Sequence, residues 1–410
     1  SLKFEFFIAR RILKNPSAAR KVAKPVLNIS VWAIALGLLI MILAVSTGNG
    51  LRKAIQNKVT GFGGDIQILN YRPNPTYEQV PLALSDSLLQ ALNADPRINY
   101  IQAFGQRAGI LKKDDLFEGV VLKGLSADYK LDFFQEFLIE GKIPSFSREG
   151  YQDSVLISDK LARKLKLELN QKVEMFFVRN NQAPLRRRFI IAGLFRTDFE
   201  ELDETFILGD LKHVRRLAKW EDFEVGAYEV HLKENEDPEN VASDIRYLLP
   251  FEYDALSARR LNLQLFQWLD LFDLNILIII VIIILVATIN MSIALLILIM
   301  ERTSMIGLLK ALGAKDFSIQ KIFLLNATYL IGKGLLWGNL LGFGLTFLQK
   351  QFGFIKLDPE TYYVSVVSID LSPLPILGLN IITLFIALVC LLIPSYLVSR
   401  VSPNKAIRFD

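Results

Sequence analysis

Four apolar stretches, each long enough to cross a bilayer, flank one large mixed block, with one stretch before it and three after. The windows free of Asp, Glu, Lys and Arg run from Pro25 to Leu51 and from Leu274 to Met300 (27 residues each), from Ile322 to Gln349 broken only by Lys333, and from Leu371 to Ser399 (29 residues). About 20 apolar residues at roughly 1.5 Å rise span a hydrocarbon core of ~30 Å. Lipid offers backbone N–H and C=O groups no partner, so each span must be a helix. Between the first and second spans lie Arg52 to Asp273, 222 residues of polar and apolar sequence, enough for a core of their own in one or two domains. The expected fold is an α-helical membrane protein with four transmembrane helices plus a large α+β domain outside the bilayer.

Basic loops are retained on the cytoplasmic side, so Lys and Arg set the orientation. Residues before Pro25, Glu301 to Lys321 and the tail after Ser399 together hold fourteen basic residues against four acidic ones, whereas the large block holds 30 basic and 35 acidic. Both termini and the Glu301 loop are therefore expected in the cytoplasm. The block and the loop between spans three and four are expected outside. The pI of about 9.0 is a topology signal and gives no support to a nucleic-acid partner. The first span is too long for a removed signal peptide and shows no small-residue cleavage site, so it is expected to persist as an anchor. The single cysteine, Cys390, falls in the last span and the histidines are His213 and His231 alone; neither a disulfide in the block nor a zinc centre is expected.

Along the chain, residues 1–24 read as a cytoplasmic amphipathic helix, with Phe4, Phe7 or Ile8, and Ile12 on one face beside Arg10 and Arg11; a soluble tail with a chance apolar stripe is the alternative. Spans are expected at 25–51, 274–300, 322–349 and 371–399. The extracytoplasmic domain covers 52–273. In it, strands are expected at Asp65–Leu69 and Glu229–Lys233, helices at Ser85–Asn93 and Pro238–Leu249, and a hairpin over Ile110–Leu125 turning at Lys112–Asp115. The middle differs in texture, with short strands at Ser154–Ile157, Val173–Val178 and Phe189–Leu194 and a helix at Ser158–Leu167. This predicts a discontinuous α+β subdomain, 52–125 and 221–256, with a strand-rich subdomain inserted at 126–220. Residues 257–273 should extend the second span outward as a helix. The remaining pieces are a cytoplasmic helix within 301–321, an external loop at 350–370 and a cytoplasmic tail at 400–410.

No Gly-x-x-x-x-Gly-Lys-Ser/Thr occurs, nor Gly-x-Ser-x-Gly, His-Glu-x-x-His or a Cys–His pair, so neither an ATP-cradling loop nor hydrolytic machinery is supported. Catalytic and metal-binding residues are none, and the chain is expected to be a non-catalytic subunit. The strongest local motif is Glu301-Arg302-Thr303-Ser304-Met305-Ile306-Gly307-Leu308-Leu309-Lys310-Ala311-Leu312-Gly313. Met305, Leu308 or Leu309, and Leu312 form an apolar stripe flanked by Arg302 and Lys310, and Gly313 is placed to end the helix. The residues alone fit equally a lever seated in a groove of a cytosolic motor and an interfacial helix with no partner. In span three, Gly334, Gly338 and Gly342 line one face with small groups suited to close packing. Lys333 beside them costs at least ~2.5 kcal/mol at a helix centre on insertion scales and should find the protein interior, a wet cavity or the interface by snorkelling.

The cytoplasmic motif resembles that of the FtsX-like permease family of ABC transporters. Phe7-Ile8-Ala9-Arg10-Arg11, Gly48-Asn49-Gly50-Leu51, Asn262-Leu263-Gln264-Leu265-Phe266, Tyr362-Tyr363-Val364 and Pro403-Asn404-Lys405-Ala406-Ile407-Arg408 look like the lipoprotein-releasing branch, the LolC and LolE type with a MacB-like periplasmic domain of two subdomains. The resemblance implies a permease in the bacterial inner membrane that extracts lipoproteins from the outer leaflet and passes them to a periplasmic carrier. Its implied partners are two copies of a cytosolic ABC ATPase, which bind the ATP and Mg, a second permease subunit in a homodimer or heterodimer, and membrane lipid. This chain itself is expected to carry no cofactor. By position, the resemblance places coupling to the ATPase at Glu301, Arg302, Met305, Ile306, Leu308, Leu309, Leu312 and Gly313. It places an acyl-chain cavity at Leu38, Met41, Ile42, Val45, Phe266, Leu269, Phe272 and Ile276. Carrier docking falls in the Val178–Arg188 loop at Pro184, Arg186, Arg187 and Arg188; the loop reads as short, and a plain solvated turn is the alternative. The other readings of the whole are a MacB-like mechanotransmission permease and an FtsX-like signalling permease that activates a cell-wall hydrolase.

Overall fold

The computed structural model describes residues 23–71, 79–146, 150–179 and 182–396. The expected amphipathic helix at 1–24, apart from the backbone of its last two residues, and the tail at 400–410 lie outside them. Two compact units emerge: one of the residues up to Arg52, 268–356 and from Val366 onward, the other of 53–267 with 357–365.

In the first unit the apolar windows are helices that outrun them. Helix α1 (Ala23–Gly63) continues beyond Leu51 because Arg52-Lys53-Ala54-Ile55-Gln56 holds no breaker; it ends where Gly64 takes a φ of +77° and donates its N–H to the Thr60 carbonyl at 2.7 Å, a left-handed cap that suits glycine. The second span is α9 (Leu263–Glu301), the third α11 (Asp316–Phe352) and the fourth α13 (Pro373–Tyr396). All four are long and apolar enough to cross a membrane. The second span does extend outward as a helix, but from Leu263 and not from Ser257: Ser257 closes a strand, α8 (Ala258–Leu261) follows, and Asn262 leaves helical geometry with ψ of 47° before α9 begins.

Glycines decide how these helices meet. Ideal Cβ atoms on Gly334, Gly338 and Gly342 would lie 2.8–2.9 Å from Ile34, Ala35 O and Ile42, so α11 runs parallel to α1 in close contact; Gly37 of α1 meets Ile283 of α9 at 2.9 Å. Asn339 of α11 and Asn380 of α13 exchange amide hydrogen bonds at 2.7 and 3.0 Å, satisfying polar groups that lipid would leave unmet.

The second unit is built on a ten-stranded mixed sheet in the order β10-β1-β9-β2-β3-β8-β5-β7-β4, with β6 joined to β2 and β7. The strands are β1 (Ile66–Asn70), β2 (Ile98–Lys113), β3 (Leu116–Leu125), β4 (Leu138–Gly141), β5 (Ser154–Ser158), β6 (Lys172–Arg179), β7 (Gln182–Phe195), β8 (Phe206–Asp210), β9 (Ala227–Leu232) and β10 (Tyr253–Ser257). Helices α2 (Asp86–Asn93), α3 (Asp132–Glu136), α4 (Asp159–Lys164), α5 (Glu200–Thr205), α6 (Leu211–Ala218) and α7 (Pro238–Leu248) lie between them. The pairs β2–β3, β3–β8, β8–β5, β5–β7, β7–β6 and β6–β2 close a ring. A closed ring removes exposed strand edges and encloses its inward side chains, here Leu111, Val120, Leu122, Met175, Phe177, Phe189 and Ile191 within one continuous buried core.

The expected subdomain boundary at residue 126 is corrected by the length of β2. Its first half pairs with β9 and its last residues with β6, and its partner β3 pairs in parallel with β8. The β2–β3 hairpin thus belongs to both halves, and the inserted segment completes a barrel begun by the segment before it.

Within this unit, residues 357–365 of the loop between the third and fourth spans are held by side chains of the large block. They include helix α12 (Pro359–Tyr362). The Lys58 ammonium donates to the Tyr363 carbonyl at 2.9 Å, Tyr363 stacks on Phe199 at 5.0 Å, and Lys160 reaches Glu200, Glu204 and Glu360 at 2.6, 2.9 and 3.7 Å.

Candidate functional site

The cytoplasmic motif forms helix α10 (Thr303–Ala311), set off from α9 by non-helical Arg302 and followed by a Leu312 C-cap. Gly313, at φ +89°, turns the chain so that the Ala314 N–H donates to Leu309 O at 2.9 Å, and Lys310 pairs with Asp316 at 2.9 Å. The stripe expected to meet a motor divides in two. Ile306 is fully buried, and Met305 and Leu309 pack against the core that includes Ile319 and Phe323 of the chain's own third span. Leu308 and Leu312 face outward, 58 % and 77 % exposed, with Ala311 beside them. Met305, Ile306 and Leu309 therefore hold α10 to its bundle. The apolar surface left for another molecule is Leu308, Ala311 and Leu312, while Glu301, Arg302 and Gly313 shape the two ends.

Among the residues placed in an acyl cavity, Leu38, Met41, Ile42 and Leu269 are 0–1 % exposed. Leu38 and Ile42 sit against Gly338 and Gly342, so the glycine face of α11 occupies the side of α1 expected to be open. Val45, Phe272 and Ile276 remain half-exposed, and Ile276 and Phe272 close over Gly48. Above them Arg52 ties α1 to α9 through Asp270 at 3.0 Å and through Asp273. Phe266 is buried in the other unit.

Of the Val178–Arg188 stretch, the described residues 178–179 end strand β6 and residues 182–188 open strand β7. Arg186, Arg187 and Arg188 are ladder residues opposite Phe176, Met175 and Glu174, and Pro184 falls at the register shift, where the missing N–H does least harm. Arg186 and Arg188 share one face with Glu174, at 3.3 and 3.1 Å, so part of their charge is already answered. Arg187 is half-buried on the other face.

Comparison with known proteins identifies the family of this chain. A model described as the MacB-like periplasmic core domain matches residues 29–248, more than half of the chain, and one described as the FtsX-like permease C-terminal matches 277–403. The chain belongs to the MacB-like, FtsX-like permease family. This permease aligns along nearly its whole length with proteins named lipoprotein-releasing system transmembrane protein: LolC of Neisseria meningitidis, 24 % identical and covering 93 % of this chain and 94 % of that one; LolC of Xylella fastidiosa, 20 % with 93 % of each; and LolE of Haemophilus influenzae, 22 % with 98 % of each. Among solved structures it is similar to the periplasmic region of MacB from Actinobacillus actinomycetemcomitans, at TM-score 0.35 and 13 % identity, over 52 % of this chain and 97 % of that one.

The permease also holds a buried cluster that sequence reading passed over. Lys123 of β3 and Glu229 of β9, 1 % and 0 % exposed, pair at 2.7 Å. Glu229 accepts further from Tyr129 at 2.6 Å and Gln102 at 2.9 Å. Lys123 donates to the Phe62 carbonyl in the last turn of α1 and lies 4.0 Å from the Phe62 ring centroid, a cation at a helix C-terminus. Burial alone would raise the Glu229 carboxyl, but the Lys123 charge and the donors from His231, Lys123 and Tyr129 outweigh it and hold it at about 2. Burial lowers Lys123 against the pull of Glu229. The available signal was a lysine inside Val120-Val121-Leu122-Lys123-Gly124-Leu125 and a glutamate inside Ala227-Tyr228-Glu229-Val230, charges in strands that otherwise read as buried.

Proposed function

We propose that this chain is the permease subunit of an ABC transporter that extracts lipoproteins from the outer leaflet of a bacterial inner membrane and hands them to a periplasmic carrier. A separate cytosolic ATPase, binding ATP and Mg, drives it, and a second permease subunit completes the membrane part. The observation that carries the reading is α10: a short helix held between two spans by Met305, Ile306 and Leu309, with Leu308 and Leu312 turned outward. A helix fixed on one face and apolar on the other transmits the displacement of whatever grips it. The proteins named lipoprotein-releasing system transmembrane protein, matched over 93 % and 98 % of this chain, support the choice of substrate class.

Leaving a membrane costs ~0.8 kcal/mol per buried methylene, so an acyl chain of about fifteen methylenes costs about 12 kcal/mol. Such a step needs an external energy source and an apolar site that shelters the chains. In this permease the half-exposed Val45, Phe272 and Ile276, below the Arg52–Asp270–Asp273 charges, are the surface for that site, shared with a second subunit. The Arg186–Arg188 strand is the surface for the carrier. Purification of the wild-type and Val45→Glu complexes in detergent tests the reading. Lipoprotein should co-purify with the first and be lost from the second while nucleotide hydrolysis persists; capture by neither intact complex would refute it.

A further inference from the structure

Lys333, expected near the centre of a span, has a different setting. Tyr329, Lys333 and Trp337 recur every four residues on α11 and all three are exposed. The Trp337 ring lies 6.1 Å from that of Trp32 on α1. Because Gly334 packs against Ile34 in a parallel contact, Trp32 and Lys333 stand within about a turn of the same level.

That level can be measured from the other end of the helices. Arg52, Asp270 and Asp273 form a charged group on α1 and α9 that belongs at or beyond one edge of the hydrocarbon. From Arg52 back to Trp32 is about 20 residues of unbroken helix, or roughly 30 Å, one hydrocarbon thickness. Trp32, Trp337 and Lys333 therefore stand at the opposite edge, where amphipathic aromatic rings and snorkelling lysines collect. Past that edge, Ile319, Phe323 and Ala327 are fully buried with Ile306 of α10, as a helical bundle in water requires.

We infer that Lys333, flanked by Tyr329, Trp337 and Trp32, binds the phosphate of a phospholipid in the leaflet opposite the Arg52 end of α1. Three features select a lipid over a protein carboxylate. Among the described residues no hydrogen bond or ion pair reaches Lys333, and its side chain is on the outer surface of the bundle. The exposed residues on the bilayer side of it, Leu36 and Leu336, are apolar, so a cation sits below a surface made for acyl chains. The tryptophan pair marks headgroup depth. The inference is independent of which substrate the permease carries.

Titration of the purified full-length chain with phosphatidylglycerol, counted by native mass spectrometry, tests it. Lys333→Gln should weaken the tightest lipid-binding step about fivefold, the effect of one lysine at a charged membrane surface, and Lys333→Arg should retain it. In phosphatidylglycerol-containing nanodiscs, quenchers near the headgroup should dim Trp32 and Trp337 more than quenchers at the chain ends. Unchanged lipid retention in Lys333→Gln, deeper quenching of the tryptophans, or a zero-length crosslink from Lys333 to a carboxylate of another protein would each overturn it.

Discussion

Replacing Glu229 by Gln keeps the shape of the side chain and an oxygen for the Tyr129 hydroxyl but removes the carboxylate paired with Lys123. An ammonium 1 % exposed is then left uncompensated, which typically costs 3–5 kcal/mol. The lowered Glu229 carboxyl gives a second measure. A carboxyl held at about 2 against an ordinary 4.5 corresponds to about 3 kcal/mol at neutral pH, at 1.36 kcal/mol per unit. Because its folded value lies below the unfolded one, this contribution is complete above about pH 4.5 and is lost as pH falls toward 2. Burial works against the charged form of Lys123 while Glu229 favours it, and the acid limb is read from the Glu229 carboxyl. Pulse proteolysis of the large domain in the full-length, detergent-solubilised chain, across a urea series, reads the loss. Adding Lys123→Met to Glu229→Gln should recover most of it, since the pair is removed together. A loss below about 1 kcal/mol for Glu229→Gln, or a double variant as unstable as the two single losses summed, would refute the argument.

Leu312→Asp, on the exposed face of α10, should leave the chain folded and inserted yet abolish stimulation of the partner ATPase; Leu309→Asp, packed against the helix core, should instead lower the yield of folded protein, and equal behaviour of the two would erase the distinction between faces. Gly338→Leu drives a side chain into Ala35 O and Leu38, both 2.8 Å from an ideal Cβ, and should lower the thermal midpoint of the detergent-solubilised bundle by an overpacking cost of about 1–3 kcal/mol. Changing Arg186, Arg187 and Arg188 to Ser should weaken carrier binding severalfold, each exposed contact carrying about 0.2–1 kcal/mol. Calorimetry at rising salt should show that deficit shrinking, and an affinity indifferent to both would leave the hairpin without a docking role.

Much of the architecture was legible because its signals are local. A run of 27 uncharged residues states its need for lipid wherever the rest of the chain goes, and Ser85 before Asp86–Asn93, or Asp237-Pro238 before the following helix, carries its cap within four residues. Strand β8 is not legible in the sequence because Phe206-Ile207-Leu208-Gly209-Asp210 is a short apolar run with no alternation, flanked by β3 and β5; such runs carry no period to read.

Of the candidate site, the sequence located α10 and the three span-three glycines, since helical spacing alone assigns residues to a face. It could not say which face of α10 is spent inside, because Leu308 and Leu309 are equally apolar and only contact with α11 separates them. For the same reason Leu38 and Ile42 read as free surface until the glycines of α11 closed over them. Lys123 with Glu229, 106 positions apart, and the ring closed by β2 and β6 depend on partners distant in sequence. Composition and periodicity fix what each segment must bury, whereas the identity of what buries it is a property of the folded chain alone.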